Sequence, residues 1–258
     1  MGAQTGIEWT DCTFNIAWGC TKISPGCTNC YADSMSARFG KNIWGPRASR
    51  MTMSAEYWAK PLAWDRAAKA AGVRRRVFCS SMCDVFEDHP TIDAERTKLW
   101  PLIQATPNLV WQLLTKRADR IAECLPPDWG AGYPNVWLGV SCESDEWLQK
   151  RAKFLAMINA RVRFLSCEPL LSPIFIGNLP RVVREQINWV IVGGESGPHA
   201  RQMDSSWARI IRDDCARYSI PFFFKQRGGV DKKKAGRLLD GRTWDEMPAA
   251  WNGGAIQS

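Results

Sequence analysis

Short apolar runs recur along the chain, and most of them stop at a group of polar residues. They predict strands at residues 13–18, 76–81, 109–114, 136–140, 162–165, 189–192 and 222–224. Between the runs, apolar positions repeat at helical spacing over residues 54–71, 92–105, 145–158 and 205–218, with Pro101 interrupting the second helix. Shorter helices are expected after Cys30 and up to about Cys124. This alternation predicts an α/β fold, namely a parallel (β/α) barrel, full or partial and TIM-like, of about six to seven strands.

The length of the chain is typical of a single domain. It has 258 residues, a size that α/β barrels commonly reach, and it contains no internal linker, repeat or low-complexity block. We therefore expect one domain over residues 1–258, with a short basic extension over about 228–258.

Polar side chains stand where the apolar strands end. The carboxyl ends of parallel strands share one face of a barrel, and barrel enzymes work on that face, so these residues predict a site. Side chains also alternate along a strand, which places Cys142 and Cys167 under the helices, on the side opposite to their polar neighbours. The strand-end residues are Asp84, Lys116, Ser141, Glu143, Ser166, Glu168, Glu195 and Lys225.

Three cysteines follow the first predicted strand, on a loop that leads into a helix. Six residues separate Cys20 from Cys27, and two separate Cys27 from Cys30. Cysteines this close, in a chain without a secretory signal, are more often metal ligands than disulfide partners. Three thiolates leave one metal position open, as catalytic sites do. With Cys12 as a fourth ligand the same loop would form a closed structural zinc site.

Charge and composition indicate the cellular environment of the protein and the kind of partner it binds. The formal net charge is +8, and basic clusters at residues 74–76, 116–117 and 232–234 are candidates for phosphate contacts. The alternative is that basic runs form solvated surface. Fourteen tryptophans are available for the core, a cleft or stacking on bases. The chain lacks an apolar stretch of about 18 residues and a signal peptide, so we expect a cytoplasmic protein without a membrane span.

The cysteine loop and the polar strand ends resemble the radical S-adenosylmethionine (SAM) superfamily. That family usually separates its cysteines by three and then two residues, and an aromatic residue commonly stands where this chain has Asn29. A closer resemblance, over nearly the whole chain, is to the three-cysteine-motif proteins of phages and prophages. It rests on GIEWTD at residues 6–11, the cysteine loop at 19–32, VGGESGP at 192–198, FFKQ at 223–226 and LDGRTW at 239–244.

The resemblance implies cofactors and roles for particular residues. Cys20, Cys27 and Cys30 would bind three irons of a [4Fe–4S] cluster, and SAM would bind the fourth iron. One electron would then cleave SAM to a 5′-deoxyadenosyl radical that abstracts hydrogen from the substrate. The candidate SAM-binding residues are Ser80, Ser81 and Asp84 for the methionine moiety, Ser141 and Glu143 for the ribose, and Glu168, Gly193 and Gly194 for the rest of the pocket. The candidate catalytic residues are Glu195, Lys225 and Tyr31.

Three alternative functions follow from the resemblance and from the composition of the chain. The first is rearrangement of a modified base side chain in phage DNA in the host cytoplasm, with an electron donor such as flavodoxin or ferredoxin. A related alternative is a radical SAM lyase that repairs a pyrimidine lesion, where a thiol or tyrosine such as Cys79, Cys83 or Tyr31 returns the hydrogen. A zinc-stabilised nucleic-acid-binding protein without catalytic activity is the third. A SAM-dependent methyltransferase is disfavoured, because no glycine-rich strand–turn–helix opens the chain.

Overall fold

A seven-stranded parallel sheet forms the body of the computed structural model, which describes residues 4–251 and 254. The strand order is β1-β4-β5-β6-β7-β8-β9, so each strand of this sheet pairs with the one that follows it along the chain. The edge strands are β1 and β9, and β2 and β3 form a separate two-stranded sheet. The sheet curls into a half-barrel with helices between the strands, which confirms the predicted parallel (β/α) barrel and shows that it is partial. The strands are β1 Cys12–Phe14, β2 Ala17–Trp18, β3 Met51–Thr52, β4 Arg75–Cys79, β5 Leu109–Thr115, β6 Val136–Ser141, β7 Val162–Cys167, β8 Trp189–Gly193 and β9 Phe222–Gln226.

Helices cover the outer face of the sheet. Apolar residues from both layers, Leu113, Val140 and Leu155 among them, form one buried cluster. Within the described ranges, no helix is both long and apolar enough to cross a membrane. The helices are α1 Tyr31–Arg38, α2 Ala55–Trp58, α3 Lys60–Ala70, α4 Pro90–Gln104, α5 Ile121–Cys124, α6 Asp145–Ala156, α7 Arg181–Arg184, α8 Ser205–Arg217 and α9 Lys232–Ala235.

The inside of the half-barrel is divided into an aromatic lower part and a polar upper part. Alternate residues of each strand point inward. The first inward positions are large and apolar, and they form a second buried cluster around Trp137, Phe164 and Trp189. Inward positions nearer the carboxyl ends, such as Ser141 and Ser166, are polar and aligned in register. The apolar cluster thus fills the amino end and leaves the carboxyl end for a site.

The predicted single strand over residues 13–18 is wrong. The chain forms β1 and then β2, which leaves the main sheet and pairs antiparallel with β3. The backbone N–H groups between β1 and β2 bind side chains and not a neighbouring strand. The Asn15 N–H donates to the Tyr57 hydroxyl at 3.0 Å, and the Ile16 N–H donates to Ser80 Oγ at 3.3 Å. These bonds turn the chain towards the cysteine loop.

Two predicted helix features also differ. The helix expected over 54–71 is divided at Ala59 into α2 and α3, with Pro61 in the first turn of α3. Proline suits that position because it lacks the N–H that a first turn leaves unpaired. In α4, by contrast, Pro101 does not interrupt the helix, which continues to Gln104. One proline removes one ladder bond, and the buried face of α4 holds the remaining turns together.

Residues 245–251, near the end of the described chain, pack against the barrel. Asp245 forms an isolated bridge to Phe223 of β9, and the Trp251 ring lies 6.1 Å from that of Trp137 in the aromatic cluster. Trp251 therefore contributes to the amino end of the barrel. The side chains of Lys232 and Lys233, predicted as phosphate contacts, lie outside the described part of the chain, as do residues 252–253 and 255–258.

Candidate active site at the cysteine loop

A cavity of about 560 Å³ opens at the carboxyl ends of the strands, beneath the cysteine loop. Its volume lies in the range of small-molecule and cofactor sites. Cys20, Cys27 and Cys30 all line it, and Trp9 and Phe78 of the aromatic cluster form part of its wall. The loop folds over the cavity because Pro25–Cys27 makes a 3₁₀ turn and Cys30 is the N-cap residue of α1.

Most of the residues predicted for the site line this cavity, but two do not. Glu143 and Gly193 lie outside the lining, and both are fixed by other protein groups. A Cβ on Gly193 would lie 2.4 Å from Glu168 Oε1, so the absence of a side chain makes room for that carboxylate. The predicted residues that do line the cavity are Tyr31, Ser80, Ser81, Asp84, Ser141, Glu168, Gly194, Glu195 and Lys225.

The three loop cysteines have different surroundings. Burial and the nearby Asp84 raise the pKa of Cys20 to about 12, although the Arg117 guanidinium lies only 3.6 Å from its sulfur. Burial also raises the pKa of Cys30. Cys27 Sγ lies 3.8 Å from Ser24 Oγ. Cys12 is buried in the layer between sheet and helices and does not line the cavity, so it is not placed to complete a four-thiolate zinc site.

The donor set fits an iron–sulfur cluster in its chemistry. Over residues 4–251 and 254, no group of three or more His, Cys, Asp or Glu side chains has the geometry of a site for one metal ion. A cluster makes a different demand, since its thiolates bind separate irons. Three half-buried thiols on one cavity wall meet that demand, with one cluster position left for another ligand.

Three glutamates hold the backbone or a side chain next to the cysteines. Glu87 Oε1 accepts the Thr21 N–H at 2.8 Å, directly after Cys20. Glu143 Oε1 accepts the Gly26 N–H at 3.2 Å, directly before Cys27.

Glu195 binds the residue next to the third cysteine. Its Oε2 accepts Asn29 Nδ2–H at 3.0 Å, directly before Cys30. We call these three residues, with their arginine partners, the loop clamps.

Each clamp glutamate is paired with arginine. Arg50 donates to both carboxylate oxygens of Glu87, at 2.9 and 2.8 Å, and Arg151 donates to Glu143 at 2.7 Å. Arg201 Nε donates to Glu195 at 2.9 Å. Sequence reasoning missed Glu87 and all three of these arginines as contributors to the site. The motif carries no signal for them, because the loop residues that the glutamates bind are 66, 117 and 166 positions away.

The pKa values of two clamp carboxyls are lowered. Burial alone would raise the pKa of Glu143, but the Arg151 charge and a hydrogen bond from Ser24 outweigh it. In Glu195 the hydrogen bonds from Arg201 likewise outweigh the effect of burial. Both side chains are therefore held as carboxylates.

Two further polar pairs line the cavity. Lys225 Nζ lies 3.0 Å from Glu168 Oε1, and Ser166 Oγ donates to the other oxygen of Glu168 at 3.4 Å. On the neighbouring strands, Lys116 Nζ donates to Ser141 Oγ at 3.3 Å. The cavity thus offers ammonium groups and carboxylate oxygens to a ligand with charges of both signs.

A phenol and a thiol reach the cavity beside the loop. Tyr31 lines the cavity and donates its hydroxyl to the Ser81 carbonyl at 2.9 Å. Although Tyr31 is 49% exposed, partial burial raises its pKa to about 12, so the phenol stays protonated. Cys83 also lines the cavity, whereas Cys79, Cys142 and Cys167 are buried in the outer layer, as their strand parity predicts for the last two.

Two of the basic clusters predicted to contact phosphate are placed differently. Arg117 is 8% exposed, and its guanidinium is bound by Asp84 at 3.1 Å and Glu87 at 3.3 Å. The residues at 74–76 lie at the start of β4, at the end of the barrel opposite to the cavity, and Arg76 pairs with Asp11 there. Arg117 and residues 74–76 are therefore not positioned to hold a phosphate at this site, whereas Lys116 lines the cavity.

Comparison with solved structures finds spore photoproduct lyase. Its complex with dinucleoside spore photoproduct has 13% identity and a TM-score of 0.47, over 78% of this chain and 60% of that one. A double mutant with bound AdoMet and dinucleoside spore photoproduct has 13% identity and a TM-score of 0.49, over 81% and 62%. The chain thus spans about three-fifths of the length of these structures. Similarity of this degree does not transfer an activity.

Comparison at the level of sequence gives a family. No curated protein matches the chain. The resemblance to phage three-cysteine-motif proteins stays a prediction. Residues 4–248 match the family described as "Protein of unknown function (DUF5131)". Because the match covers nearly the whole chain, the protein belongs to the DUF5131 family.

Proposed function

We propose that this protein is a radical SAM enzyme that acts on nucleic acid. The observation that carries the proposal is the placement of Cys20, Cys27 and Cys30 on the wall of one cavity at the carboxyl end of a partial barrel. That end is where barrel enzymes place their chemistry. Three thiolates leave one cluster position for SAM, as the sequence resemblance implies.

In this proposal each part of the cavity wall has a task. Bound there, a [4Fe–4S] cluster would supply the electron that cleaves SAM to a radical able to abstract hydrogen. The methionine moiety of SAM would be oriented by Ser80, Ser81 and Asp84. The electron donor to the cluster would be a flavodoxin or a ferredoxin. The aromatic floor under the cavity would exclude water from below. The remaining candidates for the SAM pocket are Ser141, Glu168 and Gly194.

Glu143 and Gly193, which the sequence predicted to bind SAM, have an indirect role in the proposed site. Glu143 is 0% exposed and is bound by Arg151 and Gly26, so a direct hydrogen bond to a ribose is not part of the proposed site. Gly193 would act through the space it leaves for Glu168. Both residues therefore shape the site from behind its wall.

The proposed reaction on the substrate is rearrangement of a modified base side chain in phage DNA. The net charge of +8 supports an anionic partner. Lys116 and Lys225 offer ammonium groups inside the cavity. Lys225 and Tyr31 line it as candidate catalytic residues, whereas both oxygens of the third candidate, Glu195, are bound by Asn29 and Arg201.

A second candidate reaction is lyase repair of a pyrimidine lesion. Such a reaction needs a group that returns hydrogen to the substrate radical. The Cys83 thiol and the Tyr31 phenol both line the cavity and are the candidates. Of the other thiols considered for this role, Cys79 is buried away from the cavity. Loss of product from Cys83→Ala or Tyr31→Phe with retained SAM cleavage would favour repair.

Anaerobic purification tests the cofactor assignment. We expect iron and sulfide in the wild-type protein and formation of 5′-deoxyadenosine when SAM and a reductant are added. Cys27→Ala should lose cluster loading and 5′-deoxyadenosine, because a ligand is missing, while its circular dichroism stays that of the wild type. Cys215→Ala, at a buried thiol on α8, is the control and should retain iron. Zinc in place of iron, or full iron in Cys27→Ala, would contradict the proposal.

A second assay separates the substrates. Modified phage DNA, DNA with fused pyrimidines and unmodified DNA are compared by the 5′-deoxyadenosine released and by mass analysis of the nucleosides. An isomeric nucleoside from modified DNA supports rearrangement, and restored pyrimidines support repair. If the rate of 5′-deoxyadenosine release is the same with each of the three DNAs and without DNA, a DNA substrate is contradicted.

A further inference from the structure

The cysteine loop is longer than a three-thiolate site requires. Six residues separate Cys20 from Cys27. A longer loop has more conformations to lose when its ends are fixed, so holding the thiols in place costs more free energy. The loop clamps meet this need, because each one binds the residue next to one cysteine.

We propose that Glu87, Glu143 and Glu195 are positioning residues that hold the three cysteines around the cavity before any cluster binds. The inference deepens the proposed function and rests on it for the identity of the cluster. The clamps themselves are defined by contacts within the protein. Each is assigned to one cysteine: Glu87 to Cys20, Glu143 to Cys27 and Glu195 to Cys30.

Burial and charge make these contacts strong. Glu87, Glu143 and Glu195 are 2%, 0% and 6% exposed, so water competes little for their oxygens. Hydrogen bonds to an ionised group are shorter and stronger than neutral ones. The paired arginines balance the negative charge of the glutamates in the buried setting, where an unpaired charge would be unfavourable.

The arginines also bind the loop directly. Arg117 Nη2 donates to the Thr21 carbonyl at 2.9 Å, and Arg201 Nη2 donates to the Pro25 carbonyl at 2.9 Å. The loop is therefore held by charged side chains at its C=O groups as well as at its N–H groups. Thr21 is bound from both sides, since its N–H goes to Glu87.

The clamps come from three separate strand-to-helix connections of the barrel. Glu87 follows β4, Glu143 follows β6 and Glu195 follows β8. Because these strands are parts of one rigid sheet, the distances between the clamps are set by the barrel. The loop takes its shape from the sheet beneath it, and loss of one clamp should free one cysteine.

Glu143→Gln is the most direct test. Glutamine keeps the size of the side chain but removes the charge that holds the Gly26 N–H and Arg151. We expect amide exchange at Gly26 in the cluster-free protein to accelerate roughly tenfold, as the loss of a charge-assisted hydrogen bond implies. Iron affinity during reconstitution should fall roughly tenfold, as is typical when an outer-shell partner of a metal ligand is lost.

Two further variants separate positioning from stability. Glu143→Gln leaves Arg151 buried without a carboxylate, so a double variant with Arg151→Met removes that charge as well. We expect the double variant to regain thermal stability while Gly26 exchange stays fast. Glu146→Gln is the matched control, because Glu146 pairs with Lys150 on the exposed side of α6. It should change neither the exchange rate nor the iron affinity.

Glu195→Gln provides an independent arm, because Arg201 is partly exposed and tolerates the loss of its partner. It should speed alkylation of Cys30 more than amide exchange at Gly26, whose N–H remains bound to Glu143. Wild-type exchange at Gly26 in Glu143→Gln, or exchange that recovers together with stability in the double variant, would overturn the clamp. If the wild-type protein takes up no cluster, the proposed function fails, while the exchange and alkylation rates still decide whether the clamps exist.

Discussion

At the scale of single residues, the absence of a side chain shapes the barrel interior. Gly139 in β6 faces Phe164 of β7, and a Cβ there would lie 2.3 Å from the Phe164 ring. The ring therefore occupies the space that a side chain at 139 would need. Gly194 is similar, since its Cβ would lie 2.0 Å from the Arg227 carbonyl oxygen. The glycine pair of the sequence motif is thus required by contacts within the protein.

Gly139→Ala should lower the free energy of unfolding by about 1–3 kcal/mol, the usual cost of overpacking a core. The reason is the clash with Phe164, a buried ring with little room to move. Urea unfolding at equilibrium measures the change. Gly6→Ala is the control, because a Cβ there meets no atom within 4 Å. Equal stability of the two variants would contradict the packing argument.

At the scale of elements, a buried set of charges joins the connection after β4 to the one after β5. Asp84 accepts hydrogen bonds from Thr115 Oγ1 at 2.7 Å and from the Lys116 N–H at 3.0 Å, and it also binds Arg117. Arg117 in turn reaches Glu87, which binds Arg50. The alternating signs allow four charges to be buried together.

Arg117→Met should lower the free energy of unfolding by about 3 kcal/mol, because it leaves Asp84 and Glu87 with less compensating charge in a buried place. Chemical denaturation measures the loss. Arg181→Met is the control, since Arg181 pairs with Glu185 on the exposed surface and should contribute little to stability. A destabilisation of Arg117→Met as small as that of the control would mean that the network does not stabilise the fold.

At the scale of the whole molecule, the half-barrel has an aromatic amino end and a charged carboxyl end. The charged end depends on carboxylates whose pKa is lowered, among them Glu143 and Glu195. A carboxyl group with a lower pKa in the folded state stabilises the fold above its unfolded pKa. That stability is lost as the pH falls through the folded value.

The protein should therefore lose stability in acid, from about pH 4.5 downward, the ordinary pKa of glutamate. Urea midpoints measured between neutral pH and pH 3 test this expectation. Because Glu143→Gln has no carboxyl to protonate at that position, its midpoint should fall less steeply than that of the wild type. Parallel curves for the two proteins would show that Glu143 does not contribute to the acid sensitivity.

The sequence by itself determined the order of the main-sheet strands and of the longer helices, the parallel barrel architecture and the position of the polar strand ends. These features follow from hydrophobic periodicity and strand parity, which are local properties of the chain. Parity also placed Cys142 and Cys167 in the outer layer. The cysteine loop was likewise visible from spacing alone, together with the end of the barrel on which it lies.

Only the tertiary structure decided which charges the site uses. The contacts of the clamps join residues 37, 117 and 166 positions apart, for Arg50 with Glu87, Gly26 with Glu143 and Asn29 with Glu195. The burial of Arg117 and the division of residues 13–18 into two strands arise in the same way, from partners brought together by the fold. A local pattern shows that a residue is polar, but the choice of its partner depends on distances that only the folded chain sets.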